Sequence, residues 1–254
     1  TITELAVLGR RHDLADVLTR RPEPYHALLD TAAGGDIGLR SVHQPPPVKE
    51  AGLELLLAYD DFRRASLLDG LFPLDGALDP VAPWAQSRAA LGETRLSPAV
   101  EVAADGATVV LSLTGEGLAL DKRVTVRGAA LAARYRPRRP DGGPLEGRWG
   151  VQWNLALTAG SGPGRYLDLP DRPSLASTGR LPGATGVTLV DEWLGLEARL
   201  TWSGGAELAW GPVETVSVSE GGYERIYQGL ALLLAWPLAA QEGEMETTLT
   251  VVER

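Results

Sequence analysis

The densest grouping of chemistry-bearing side chains lies at residues 19–26, Thr-Arg-Arg-Pro-Glu-Pro-Tyr-His. Arg20, Arg21, Glu23, Tyr25 and His26 offer two guanidiniums, a carboxylate, a phenol and an imidazole. Such a set can grip a polyhydroxylated ligand or a partner domain. It also makes a solvated, salt-bridged turn, the commoner use of surface ion pairs. Residues 60–64 set two acids against two bases, and Asp60 and Arg63 join the same ligand-or-interface set. Gln152 and Asn154 alternate along one stretch. If both faces of that stretch are covered, the amides need internal partners; on an open concave face they can bond sugar hydroxyls. A last grouping spans residues 219–225, where Glu220 and Glu224 flank Tyr223 and two glycines, with Gln228 just beyond. Paired carboxylates do acid/base work on a glycosidic bond when held about 5 to 9 Å apart. The spacing alone does not set that distance, and a turn that ties them to backbone N–H groups or Arg225 is the commoner outcome.

Other chemistries have little support. No G-x-S-x-G elbow is present, and His12, His26 and His43 all fall in the first fifth of the chain outside any triad context. No histidine pair has ligand spacing and no calcium-loop pattern appears, so neither a metal nor a cofactor is expected. Gly160-Ser161-Gly162-Pro163-Gly164 lacks the Lys-Ser/Thr ending of a phosphate loop and reads as a turn. Among the tryptophans, Trp153 and Trp202 fall on apolar faces. Trp84, Trp193, Trp210 and Trp236 are less defined, and an exposed one can stack on a sugar ring.

The 254 residues are 44% hydrophobic, enough for one large core or two small ones. A net charge of −9 and a pI near 4.9 argue against a nucleic-acid footprint. There is no cysteine and hence no disulfide framework; a cytoplasmic location fits. The longest apolar run, around residues 230–236, stops at Pro237, short of the roughly 18 residues a membrane helix needs. Lysine occurs only at Lys49 and Lys122, and asparagine only at Asn154, a composition seen in GC-rich and thermophilic proteins. The chain opens Thr-Ile-Thr-Glu-Leu, with neither Met nor a leader pattern, which reads as the interior of something longer.

The elements that must position these groups are mostly strands. Residues 1–7 alternate, and residues 10–21 have Leu14, Val17 and Leu18 at the spacing of a short helix. Residues 30–47 are loop-like, with paired glycines and a triple proline. Residues 51–59 suit either strand or helix. From residue 99 onward, short β-type runs at 100–103, 108–113, 118–127 and 131–136 are separated by Gly and Pro clusters. Residues 148–158 alternate, with Trp149, Val151, Trp153, Leu155 and Leu157 facing one way, and 196–202 alternate as cleanly. Runs at 208–210, 213–218, 230–236 and 245–252 complete the series. This pattern predicts an all-β architecture of two large antiparallel sheets, with one or two short helices near the N-terminus.

Four blocks carry a family resemblance: LTRRPEPYHALL, VKEAGLELLLAYDDFRRASLLDGLF, RWGVQWNLAL and WGPVETVSVSEGGYERIYQG, in that order across residues 18–229. Together they resemble the C-terminal domain of glycoside hydrolase family 57, the α-amylases and 4-α-glucanotransferases of carbohydrate metabolism. The resemblance implies a galactose-mutarotase-like supersandwich filling residues 1–254 as a single domain. It also implies that the catalytic Glu and Asp belong to an N-terminal barrel, of which nothing is seen here. The chain then looks like an excised or processed C-terminal part, or half of a split enzyme. One departure is Gln152, where the family's E-x-N element would carry a carboxylate.

The expectation is thus a non-catalytic sandwich domain of an α-1,4-glucan-processing enzyme. Its partners would be a catalytic barrel and α-glucan or maltooligosaccharide, with no nucleic acid and no membrane. Arg20, Arg21, Glu23, Tyr25, His26, Asp60, Arg63, Glu220, Tyr223, Glu224 and Gln228 are the residues expected at an interface or ligand. The alternative is a free-standing α-glucan-binding module using Gln152, Asn154 and a tryptophan. An epimerase-like enzyme is a third reading, resting on fold alone.

Overall fold

The computed structural model describes residues 1–29, 47–87, 95–115, 117–238 and 244–254. His43 and most of the proline-rich stretch at 30–47 lie outside them. The described strands are β1 (Ala6–Val7), β2 (His12–Asp13), β3 (Leu68–Phe72), β4 (Arg95–Ala103), β5 (Gly106–Gly115), β6 (Leu118–Arg127), β7 (Ala130–Arg138) and β8 (Arg148–Ala156). They continue with β9 (Arg165–Leu167), β10 (Gly179–Leu181), β11 (Gly186–Asp191), β12 (Leu196–Trp202), β13 (Glu207–Ser219), β14 (Gly222–Pro237) and β15 (Met245–Glu253). One sheet has the order β4-β5-β6-β7-β15-β12-β11-β9, the other β10-β13-β14-β8-β3, and a small ribbon pairs β1 with β2. Neighbouring strands are antiparallel throughout the described sheets. This is the all-β architecture of large antiparallel sheets that the strand pattern predicts, in keeping with the supersandwich that the resemblance implies.

The main core lies between the two sheets. From β8 it takes Trp149, Val151, Trp153 and Leu155, and from β14 Leu230, Leu232, Leu234 and Trp236. Leu120 of β6, Tyr135 of β7, Leu196, Ala198 and Leu200 of β12, and Leu249 of β15 meet them from the larger sheet. One ion pair is buried here: Lys122 donates to the Leu67 carbonyl at 2.7 Å and to the Asp69 carboxylate.

The five-stranded sheet is covered on its other face too. Segments of residues 15–29, 47–66 and 73–87 lie over it with almost no regular structure, which explains why β8 is buried at every position and why β14 reads as a continuous apolar run, whereas Val7 and Leu14 join the main core. A strand covered on both faces loses its alternation. Ala231, Leu233 and Ala235 face this outer layer, packing with Val17, Val213, Phe72 and Leu78. Small residues make room for it: a Cβ on Gly150 would strike the Phe72 ring, and one on Gly211 would lie 2.9 Å from Val81.

Three local readings are corrected. Residues 10–21 form no α-helix; the described helices are single 3-10 turns at Leu8–Arg10, Pro24–Leu28, Leu53–Leu56 and Pro83–Gln86. Leu14 lies in the turn after β2 and joins the main core, while Val17 packs in the outer layer, with Ala156 N–H donating to the Leu14 carbonyl at 2.8 Å. The runs at 208–210 and 213–218 are one strand, β13, with a register shift between Val213 and Glu214. Pro212 is tolerated because β10 pairs only with Leu208, Ala209 and Trp210, leaving β13 an edge beyond. Tyr223, Glu224 and Arg225 of the polar grouping and the apolar run at 230–236 likewise belong to one strand, β14.

Candidate functional site

The site starts from the outward row of β8. Alternation sends Gln152 and Asn154 to the face opposite the sandwich core, and both are fully buried there. Gln152 donates to the Pro80 carbonyl at 2.8 Å and accepts from Trp84 Nε1 at 2.9 Å. The neutral amide suits this position, since a carboxylate would set a second acceptor against the Pro80 carbonyl. Asn154 donates from Nδ2 to the Ala65 carbonyl at 2.7 Å and accepts at Oδ1 from Arg64 Nη1 at 3.0 Å. Its backbone N–H and C=O both bond to Ser66 Oγ. The open concave face offered as one reading is therefore absent here, and these amides fasten the outer layer to the sheet.

Arg64 carries the connection further. Its Nε donates to Asp60 Oδ2 at 3.1 Å, and its Nη2 to Asp60 Oδ1 and to the Val81 carbonyl. Asp60 also accepts from the Arg20 backbone N–H and from Arg20 Nη2, each at 2.8 Å. Burial alone would raise the Asp60 pKa, but the hydrogen bonds from Arg20 and Arg64 outweigh it and hold the carboxyl below its ordinary value. Arg64 is pushed the other way by burial, its guanidinium pKa lowered against the pull of Asp60. A buried carboxylate between two guanidiniums is satisfied and ionised, so it is a clamp and not a proton donor. Arg64 escaped the sequence reading because its neighbour Arg63 looks identical in sequence.

Next to the clamp opens a cleft of about 560 Å³ between the segment 15–26 and strands β13 and β14. Arg20, Arg21, Glu23, Tyr25, His26, Arg63 and Gln228 line it, joined by Asp16, Thr215 and Ser217, which the sequence did not single out. His26 is committed inside its own turn. Nδ1 accepts the Glu23 N–H at 3.1 Å, Nε2 faces the Val216 carbonyl at 3.2 Å, and the Tyr59 ring stacks at 5.7 Å. With Nδ1 accepting, Nε2 is the protonated nitrogen, and neither is free to act as a base. The Tyr25 hydroxyl reaches the Val216 carbonyl at 3.3 Å, and burial with nearby Glu23 raises its pKa. Arg21 and Arg63 are the exposed cations of the rim.

The remaining anticipated residues lie elsewhere. Tyr223 is fully buried beneath Tyr25, donating to its carbonyl at 3.2 Å within a small cluster of Leu29, Leu53 and Val216. Glu220 sits exposed on the two-residue turn closing the β13–β14 hairpin, where Ser219 pairs with Gly222. Glu224 is the third residue of β14 and pairs with Lys49 at 2.5 Å; this hydrogen bond lowers its pKa. Arg225 joins Glu50 and Glu214. The two glutamates thus make hairpin contacts and do not face each other across a cavity. Among the described residues, no cluster of histidine and carboxylate side chains is set to hold a metal, and no helix is long and apolar enough to cross a membrane.

Comparison with known proteins accords with this architecture. The family described as "Alpha-amylase/4-alpha-glucanotransferase, C-terminal" matches residues 1–249. Alpha-amylase 1 of Dictyoglomus thermophilum is 29% identical over 231 residues, 87% of this chain and 32% of the relative. The alpha-amylase of Pyrococcus furiosus is 24% identical over 234 residues, 92% of this chain and 32% of the relative. The crystal structure of 4-alpha-glucanotransferase from Thermococcus litoralis shares the fold, with a TM-score of 0.66, 20% identity, and coverage of 99% of this chain and 34% of that one. The chain spans about a third of the length of each of these proteins.

Proposed function

On the premise that this chain belongs to the α-amylase/4-α-glucanotransferase C-terminal family, we propose that it is the non-catalytic sandwich domain of an α-1,4-glucan-processing enzyme. In this reading it belongs to glycoside hydrolase family 57, and residues 1–254 act as one domain. Its cleft packs against a catalytic barrel and shapes the rim of the glucan site. The observation that carries this is the cleft itself. It is polar and partly exposed, yet its floor is locked: Asp60 lies between Arg20 and Arg64, and both nitrogens of His26 are engaged. Such a surface presents permanent charge at Arg21 and Arg63 above a buried carboxylate and imidazole that are already engaged, which suits positioning. Retaining glycosyl transfer, with its nucleophile and acid/base, then belongs to the barrel.

The test is charge reversal at the rim. In the enzyme that carries this chain, Arg21→Glu with Arg63→Glu is expected to lower turnover of maltooligosaccharides at least fivefold while leaving the unfolding of the sandwich itself unchanged. Turnover equal to the parent's in that double variant contradicts the reading.

A further inference from the structure

Among the described residues, which hold all seven tryptophans, Trp193 alone is exposed, at 71%. It is nonetheless held fast. Its Nε1 donates to the Pro163 carbonyl at 3.0 Å, and its backbone N–H donates to Asp191 Oδ1 at 3.0 Å. The Arg165 guanidinium lies over the ring, 5.2 Å from its centroid. Arg165 is itself mostly buried and bonded to the Ser161 carbonyl, and Asp191 is fully buried. The indole therefore has one edge tied and one face backed, while the face away from Arg165 stays open to solvent.

An exposed, immobilised aromatic face is a stacking surface whose ordering cost is already met by folding. What would stack there follows from its surroundings. Charged side chains border it: Glu192 in the same turn, and the C-terminal Arg254 at 4.0 Å from that carboxylate, with both about half exposed. Protein interface cores are depleted in charge. A pyranose instead presents an apolar C–H face to the ring and a rim of hydroxyls to carboxylate and guanidinium groups. Gln152 and Asn154, the other sugar-facing candidates, are buried.

We infer that Trp193 is an α-glucan docking platform, a surface site separate from the cleft at residues 15–26. The choice of α-glucan rests on the functional reading above; the platform geometry does not. The test uses this chain in native gels cast with soluble starch, with dextran or with neither, together with indole fluorescence titration by maltoheptaose. Retardation in starch but not in dextran is expected, and Trp193→Ala is expected to abolish it and weaken maltoheptaose binding at least tenfold. Trp193→Phe should retain part of the binding. Because the ring is exposed, the melting temperature of Trp193→Ala should match the parent's. Equal retardation of Trp193→Ala and parent overturns the inference, as does a parent that starch does not retard. Neither result touches the cleft reading, which Arg21→Glu with Arg63→Glu tests with Trp193 intact. Loss of barrel docking with starch retardation preserved in Trp193→Ala would make the ring a protein contact and also overturn it.

Discussion

The two faces of strand β8 are built from alternate residues of one stretch, and they are held by different physics. Trp149, Val151, Trp153 and Leu155 face the sandwich and are stabilised by removal of apolar area from water. Gln152 and Asn154 face the outer layer and are equally buried, but there the stabilisation depends on every polar atom finding a partner. The inner face tolerates imprecise packing at modest cost; the outer face is stable only if the Asp60–Arg64–Asn154 connection is complete. Closure of that outer face is also what turns a presumed sugar-binding row into a fastening and moves the available polar surface to the cleft.

The largest effects should come from breaking either face at its centre. Trp153→Ala removes an inner side chain whose Nε1 also bonds Thr247 Oγ1 at 3.1 Å, and should cost about 3–5 kcal/mol in denaturant unfolding. Asp60→Ala leaves two guanidiniums buried without their carboxylate and should cost a similar ~3–5 kcal/mol. The faces separate with pH. The folded pKa of Asp60 lies below the ordinary carboxylate value of about 3.9. Its contribution is therefore full above that ordinary value and is lost as pH falls through the folded pKa. Trp153→Ala should lose stability on acidification in parallel with the parent, whereas Asp60→Asn should show a flatter profile below about pH 4. Parallel profiles for all three would break the comparison.

Smaller effects sharpen it. Gly150→Ala places a methyl against the Phe72 ring on the outer face and should cost about 1–3 kcal/mol by overpacking. Lys49→Ala removes only the half-exposed pair with Glu224 and should change stability by less than about 1 kcal/mol. A larger loss from Lys49→Ala would mean that the β13–β14 hairpin tip is a structural centre and not a surface contact.

The inner face was legible in sequence because an apolar row on one side of a strand has a period. The alternation read at 148–158 is strand β8 over Arg148–Ala156, and that read at 196–202 is β12. The outer layer has no period, since residues 15–29, 47–66 and 73–87 are held by hydrogen bonds between segments far apart in the chain. The helical spacing of Leu14, Val17 and Leu18 was accidental, with Leu14 packing in the main core from a turn, Val17 packing in the outer layer and Leu18 exposed. At the cleft, the polar density of residues 19–26 coincides with a segment that lines it. The separation of Glu220 and Glu224 stayed open in the sequence because only the pairing of β13 with β14 decides where a hairpin places them. Arg64 was invisible beside Arg63 because only tertiary packing distinguishes the buried guanidinium from the exposed one.

The most direct test of the account is native-state hydrogen exchange at three amides of the outer layer and its anchor. These are Asp60 N–H, which donates to the Arg20 carbonyl, Arg64 N–H, which donates to Thr19 Oγ1, and Asn154 N–H, which donates to Ser66 Oγ. If the layer is fastened as described, all three exchange only through global unfolding, with protection equal to that of the β8 and β14 core amides. Exchange of Asp60 and Arg64 orders of magnitude faster than Asn154 would show a layer that opens independently, and would contradict the fixed floor on which the cleft is built.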